Sequence, residues 1–280
     1  MVMRSSVYTG DMENQSSEAL VSRGDAELLR TLVSSLEEDI VLGRLHPRER
    51  LIEDELMRRF AAKRHVVRRA LADLQQMGIV ERLPNRGALV RAYQAEEIQQ
   101  LYVLRNLLEG HAAALVPMPL SELDVGELKA VQARHDHAVA SGDLTSVFRV
   151  NLEFHELLFS KSGNAYLVEA IRQFAQRTHG IRFYCLTYPG YLEQARREHW
   201  EMIAAIETGN RQSLVRLCHH HLLASRQCYE KAVGIQSRVF RPARRSTTPS
   251  GLSASKPVRS RRGPRARRSR LSGSGTHRGK

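Results

Sequence analysis

The chain has 280 residues, 42% hydrophobic and 26% charged, with 18 Gly and 9 Pro; this excludes collagen-like, fibrous and wholly disordered classes and allows one or two domains. Without an apolar run of the ~18 residues a membrane span needs, without a signal-peptide pattern in residues 1–26, and with Cys185, Cys218 and Cys228 forming no CxxC pair, it is expected to be cytoplasmic, with reduced thiols and no membrane partner. The formal charge of +13 is uneven: residues 236–280 hold 14 Lys or Arg and no Asp or Glu, so the rest of the chain is close to neutral.

Residues 1–26 are polar and aperiodic and are expected to form a flexible leader. Leu29, Leu32, Val33, Leu36 and Ile40 then recur at helical spacing up to Gly43, a suitable C-terminal cap. Leu51, Leu56 and Phe60 mark a short second helix, and Val67, Ala70, Leu71, Leu74 and Met77 a third that stops at Gly78. The period next falls to about two. Ile79–Leu83 and Ala88–Val90 read as two strands around the turn Pro84, Asn85, Arg86, Gly87.

Three helices and a hairpin are the layout of a winged helix-turn-helix, with the hairpin as wing. The third helix carries Arg64, Arg68 and Arg69 away from its apolar stripe, and Arg64 and Arg68, four apart, share a face. Such a helix start fits the major groove, where arginine reads guanine and the helix end favours phosphate. The plainer reading, a solvated helix face, leaves the adjoining hairpin with Arg86 and Gly87 at its tip unused. Residues 27–93 carry only +3, so placement rather than total charge makes the case.

The run LIEDELMRRF followed by AAKRHVVRRALADLQQMGIVERLPNRGALV resembles the DNA-binding half of GntR-type bacterial transcription regulators. The resemblance implies that Arg64 and Arg68 contact operator DNA, with Lys63, His65 and Arg69 beside them, and that Arg86 and Gly87 bring the wing to the minor groove. Lys63 stands where that family usually has Ser or Thr, Val66 where it has Pro, Arg69 where it has Glu, and Ile52 at a usual hydroxyl cap. The added positive charge implies an altered operator preference and a steep salt dependence.

From Ala95 to Gly234 only helical periodicity remains. Pro117 and Pro119, then Ser141–Asp143, Ser162–Asn164, Pro189–Gly190 and Thr208–Asn210 punctuate it into about six antiparallel helices. The expected fold is therefore mainly α: an N-terminal winged helix-turn-helix (27–93), an all-α antiparallel bundle (95–234), and a disordered Arg-rich tail (236–280). A bundle of this kind builds ligand sites between facing helices.

Within the bundle Asn151 and His155 share a helix face, His199 lies on the fifth helix, and His219, His220 and His221 on the sixth. Three imidazoles from three helices suit a first-row divalent ion with a position left open, although core or surface histidine is the commoner fate. The segments NLEFHELLFSKSGN, REHWEMIAAIETGN and HHHLLASRQ resemble the FCD domain that accompanies GntR-type winged helices. That resemblance implies a metal held by Asn151, His155, His199 and His221, spaced 4, 44 and 22 residues apart. Asn151 replaces a frequent Asp, which favours Zn or Ni over harder ions. It also implies that Arg105 points into an effector cavity and takes a carboxylate; the alternative is a surface salt bridge with Glu109. Cys218 is expected to pack as a small hydrophobe, and His219 and His220 to face away from the ion.

The sequence thus points to a ligand-responsive regulator, not an enzyme, that binds double-stranded operator DNA as a homodimer and answers to a small organic acid. One rival is a metalloenzyme with Glu198 or Glu153 as base, each one or two residues from a ligand and so turned elsewhere on its helix. The other is a nonspecific nucleic-acid binder driven by the tail, which leaves the winged helix unexplained.

Overall fold

The computed structural model describes residues 10–83, 87–188 and 190–232. Arg86 of the wing tip and the Arg-rich tail lie outside the described residues, as do residues 1–9 of the leader. The leader expectation needs correction over residues 10–26, which are the first turns of helix α1, Gly10–Val41. No proline interrupts the chain before Pro47, so nothing local stops this helix ahead of its apolar stripe.

Strand β1 (Arg50–Leu51), helices α2 (Glu53–Phe60) and α3 (Arg64–Gln76), and strands β2 (Val80–Leu83) and β3 (Gly87–Val90) complete the first part. The sheet order is β1-β3-β2, antiparallel throughout, with Leu51 opposite Ala88 and Val80 opposite Val90. Strand β1 was not anticipated. Leu51, expected to open the second helix, instead pairs in the sheet and is buried. At two residues the strand is too short for an alternation to register. Leu32, Leu36 and Ile40 of α1 meet Val67, Leu71 and Leu74 of α3 in one core, where each fully buried aliphatic side chain contributes about 1.5 to 3 kcal/mol.

The rest is helical among the described residues: α4 (Ala95–Leu115), α5 (Glu122–Ser141), α6 (Leu144–Ser160), α7 (Ala165–Arg177), α8 (His179–Leu186), α9 (Tyr191–Glu207) and α10 (Arg211–Ala232). Ser121, Asp143 and Asn164 cap α5, α6 and α7 by accepting a backbone N–H. Seven helices stand where about six were expected, because the segment after Asn164 breaks at Thr178. There the Thr178 hydroxyl donates to the Ala175 carbonyl at 2.7 Å, competing with the helix ladder. Phe154, Leu158, Met202, Ile206 and Leu214 centre the core of this part.

Candidate functional site

Two sites can be built from these elements. The first is the start of α3. Lys63, its N-cap, makes no side-chain cap bond, nor does Ile52 at the start of α2, as the missing hydroxyls require. Burial of Val66, Val67, Ala70 and Leu71 forces Arg64, His65, Arg68 and Arg69 outward, and all four are exposed. They are not idle. Arg64 donates to Glu53 at 3.2 Å and Asp54 at 2.6 Å, and Arg68 donates to Glu53 at 3.0 Å. Lys63 and His65 both meet Asp25, at 3.4 and 3.2 Å, and Arg69 pairs with Asp73 at 3.1 Å. The carboxylates of α2 thus occupy Arg64 and Arg68.

Gly87 has a duty inside the sheet. It is buried at φ +83°, and a Cβ there would lie 2.1 Å from the Leu51 carbonyl oxygen. The unanticipated strand β1, rather than a partner molecule, already requires glycine at this position.

The second site lies between α5, α6, α9 and α10. The ligand-capable nitrogens of His155, His199 and His221 all fall within 4.8 Å of one another. Their ring centroids are 4.9 to 5.0 Å apart. Two of the rings are held from behind: His199 Nδ1 meets Gln132 Oε1 and His221 Nδ1 meets Glu198 Oε2, both at 2.8 Å. The buried His199 Nε2 and His155 Nδ1 have no hydrogen-bond partner. Burial pushes His155 and His199 well below the usual imidazole value, so both are neutral bases. Neutral imidazoles, buried and without a donor to satisfy them, fit a divalent cation.

Asn151, one turn before His155, is buried, and one end of its amide, Nδ2, also lacks a partner. The two ends of an amide are near-isosteric, so this end can equally present oxygen. Glu198 would be pushed up by burial, but its bonds and charge contact with His221 outweigh this and bring it to about 2. Its carboxylate is shared by His221, His220 and Gln194, each at 2.8 Å, so His220 faces the rim of this site rather than away from it. His219 lies instead against Gly110 of α4. Cys218 is buried in the apolar core, as expected.

Beside the histidines is a cavity of about 180 Å³ whose lining includes His155, Arg105, Glu109, His179, Arg182 and Glu37. Arg105 is buried; it donates to Glu109 Oε1 at 2.8 Å and to Thr178 Oγ1 at 2.9 Å. Both readings of this residue therefore meet: it pairs with Glu109, yet not at the surface, and it lines the cavity. Burial would lower Arg105, but the Glu109 charge outweighs that and holds it above its ordinary value.

Sequence reasoning missed Gln132, His135, His179, Arg182 and Glu37, and considered Glu198 only as a base. Gln132 and His135 could have been found, since they interrupt the Val125, Leu128, Ala138 stripe of α5 with polar side chains and are fully enclosed. His135 lies with its ring tilted 55° to that of His199 at a centroid distance of 5.2 Å, and burial brings it to about 4.

Comparison with known proteins decides the family. The profile of bacterial regulatory proteins of the gntR family matches residues 28–90, and that of the FCD domain matches residues 100–224. The chain belongs to the GntR family, in its FCD-bearing branch. It is a transcriptional regulator with an FCD effector-binding domain, not an enzyme. This GntR regulator is 26% identical over 192 residues to the HTH-type transcriptional regulator YdhC of Bacillus subtilis, covering 68% of this chain and 84% of that one. It is 22% identical to the HTH-type transcriptional repressor RspR of Escherichia coli, over 67% of this chain and 82% of that one. Among solved structures, E. coli McbR/YncC superposes with a TM-score of 0.60 at 22% identity, covering 74% of this chain and 96% of that one. A putative GntR regulator from Rhodococcus sp. RHA1 gives 0.59 at 21% identity, over 74% of this chain and 98% of that one. These two likenesses bear on the fold.

Proposed function

We propose that this regulator binds a pseudo-palindromic operator as a homodimer, reading DNA with residues 27–93 and holding a metal and a small carboxylate effector within residues 95–234, which also carry the dimer contacts. The observation that carries the reading is the convergence of His155, His199 and His221, with unpartnered buried nitrogens, beside a cavity lined by Arg105. Asn151 and these three histidines would hold the ion, with Zn or Ni best suited to the donor set. When bound, the ion ties α6, α9 and α10 together and offers a Lewis-acid position to an acid's oxygen. Arg105, fixed by Glu109 and Thr178, presents its remaining N–H donors to the same acid.

On the DNA side Lys63, Arg64, His65, Arg68 and Arg69 would leave their carboxylates for the duplex, with Arg86 and Gly87 in the wing. An effector that changes the placement of the two reading heads by a coupling of about 1 to 3 kcal/mol alters operator affinity about 5 to 150-fold. Among the described residues, both bases named for the metalloenzyme rival are taken, Glu198 by His220 and His221 and Glu153 by Arg134.

The test is a footprint on genomic DNA captured by the purified full chain, with metal content measured on the same preparation. Arg64→Ala with Arg68→Ala should abolish the footprint, and His155→Ala should lower the metal content and the response to acids while sparing the footprint. A footprint untouched by the arginine pair overturns the DNA reading. One that vanishes when residues 236–280 are deleted favours the nonspecific binder.

A further inference from the structure

We propose that Arg182 recognises a second acidic group, so that the effector of this regulator is a small dicarboxylate rather than a monoacid. The proposal rests on the carboxylate reading above and narrows its substrate class. The argument is one of charge and partners. The cavity is lined by three arginines and three glutamates, and most of these neutralise one another. Arg105 is taken by Glu109 at 2.8 Å. Arg172 is taken by Glu156 at 2.5 Å and by Glu169 at 2.8 Å. Glu37 is taken by His179 Nδ1 at 2.6 Å.

Arg182 is left over. It has no carboxylate within ion-pairing distance among the described residues, and its Nε is buried without a hydrogen-bond partner. The face of Phe148 lies 5.9 Å from its guanidinium carbon, at the outer limit of a cation–π contact. A buried guanidinium donor left without an acceptor costs about 1 to 3 kcal/mol, more when charged, and a bound carboxylate removes that cost. Arg182 lines the cavity together with His179 of α8 and His155 of α6.

The cavity therefore presents an anion with two guanidinium groups, Arg105, already held by Glu109, and Arg182, which is unpaired. A monoacid held at Arg105 and the histidines leaves Arg182 unpaired. A short diacid pairs with both arginines, and its planar carboxylates match the guanidinium fork. The volume of about 180 Å³ suits a molecule of a few carbons and excludes large cofactors.

The test uses zinc-loaded full-length protein and isothermal titration with straight-chain dicarboxylates from malonate to adipate, each against the monocarboxylate of equal carbon number. At least one dicarboxylate should bind about tenfold or more tightly than its monoacid. Arg182→Gln should reduce that ratio to near one by weakening the dicarboxylate, with zinc still bound. Arg182→Lys, which keeps the charge and loses the fork, should retain part of the preference and serves if the glutamine variant does not fold. No preference in the native protein, or a preference that survives Arg182→Gln, overturns the proposal. Monoacid binding without diacid preference leaves the carboxylate reading standing. Failure of both acid classes, with the operator footprint intact, removes that reading as well.

Discussion

Removing the negative charge behind His221 tests whether the histidine trio is built to hold a cation. In Glu198→Gln the side chain keeps its size, but the ionised carboxylate that holds His221 Nδ1 at 2.8 Å becomes a neutral amide. Because Glu198 sits at about 2, it is anionic throughout the working range, so the substitution removes a full charge. A carboxylate behind a ligating imidazole fixes its tautomer and raises its basicity, and losing it typically costs about 10 to 100-fold in metal affinity. Gln132 holds His199 through a neutral amide oxygen at the same 2.8 Å, a bond worth only about 0.5 to 1.5 kcal/mol, or roughly 2 to 12-fold. Glu198→Gln should therefore weaken zinc more than Gln132→Ala does. The assay is zinc titration against a competing chelator. Equal affinities for native protein and Glu198→Gln would refute the assignment of His221 Nε2 as the nitrogen that faces the ion.

Two further outcomes follow from named contacts. Glu53 neutralises both Arg64 and Arg68 through exposed pairs, each worth about 0.2 to 1 kcal/mol, so Glu53→Gln should raise affinity for any duplex by up to about 30-fold at low salt. Fluorescence anisotropy reads this, and an unchanged or weaker affinity counts against the competition between carboxylate and phosphate. In metal-free protein, burial lowers His135, His155, His179 and His199, so the folded state binds fewer protons than the unfolded chain below pH ~6.5. Stability is then fully present above that pH and is lost on acidification, with a slope of up to about 1.4 kcal/mol per pH unit for each histidine. Urea midpoints of chelator-treated protein should fall between pH 7.5 and 5.5; equal midpoints would show these rings to be open to protons in the fold.

The sequence was most legible where a period repeats. Leu32, Leu36 and Ile40, the α3 stripe, and the caps Asp143 and Asn164 announce their elements because burial and capping act over one or two turns. The helix break at Thr178 was not legible, since a threonine hydroxyl bonding three residues back leaves no Gly or Pro signature. The histidine spacing could be read, but the groups that orient those rings come from other helices. Gln132 reaches His199 across 67 residues, a pairing that no local pattern encodes. Arg182 and Glu37 were invisible for the same reason. What sets them apart is the pairing state of their neighbours, a property of the packed cavity and not of either segment alone.

Helix α1 is where the two halves of the regulator meet, and its sequence explains how. Leu32, Leu36 and Ile40 point into the winged-helix core, so Glu37 and Glu38, rotated about 100° per residue from that stripe, face elsewhere. Glu37 Oε1 lies 2.6 Å from His179 Nδ1 on the cavity wall, and Glu38 Oε1 accepts from Arg149 Nε of α6 at 2.7 Å. A hydrogen bond from a buried imidazole to a charged carboxylate contributes about 1.5 to 3 kcal/mol, whereas the exposed Glu38 pair adds about 0.2 to 1. Zinc bound at the histidines should then stabilise the winged helix through α1, giving one cooperative calorimetric transition that shifts as a whole. With Glu37→Ala and Glu38→Ala together, that transition should split, and zinc should move only the part belonging to the helical bundle. A single transition that still shifts intact would mean the heads are tied to the bundle by something other than these two carboxylates.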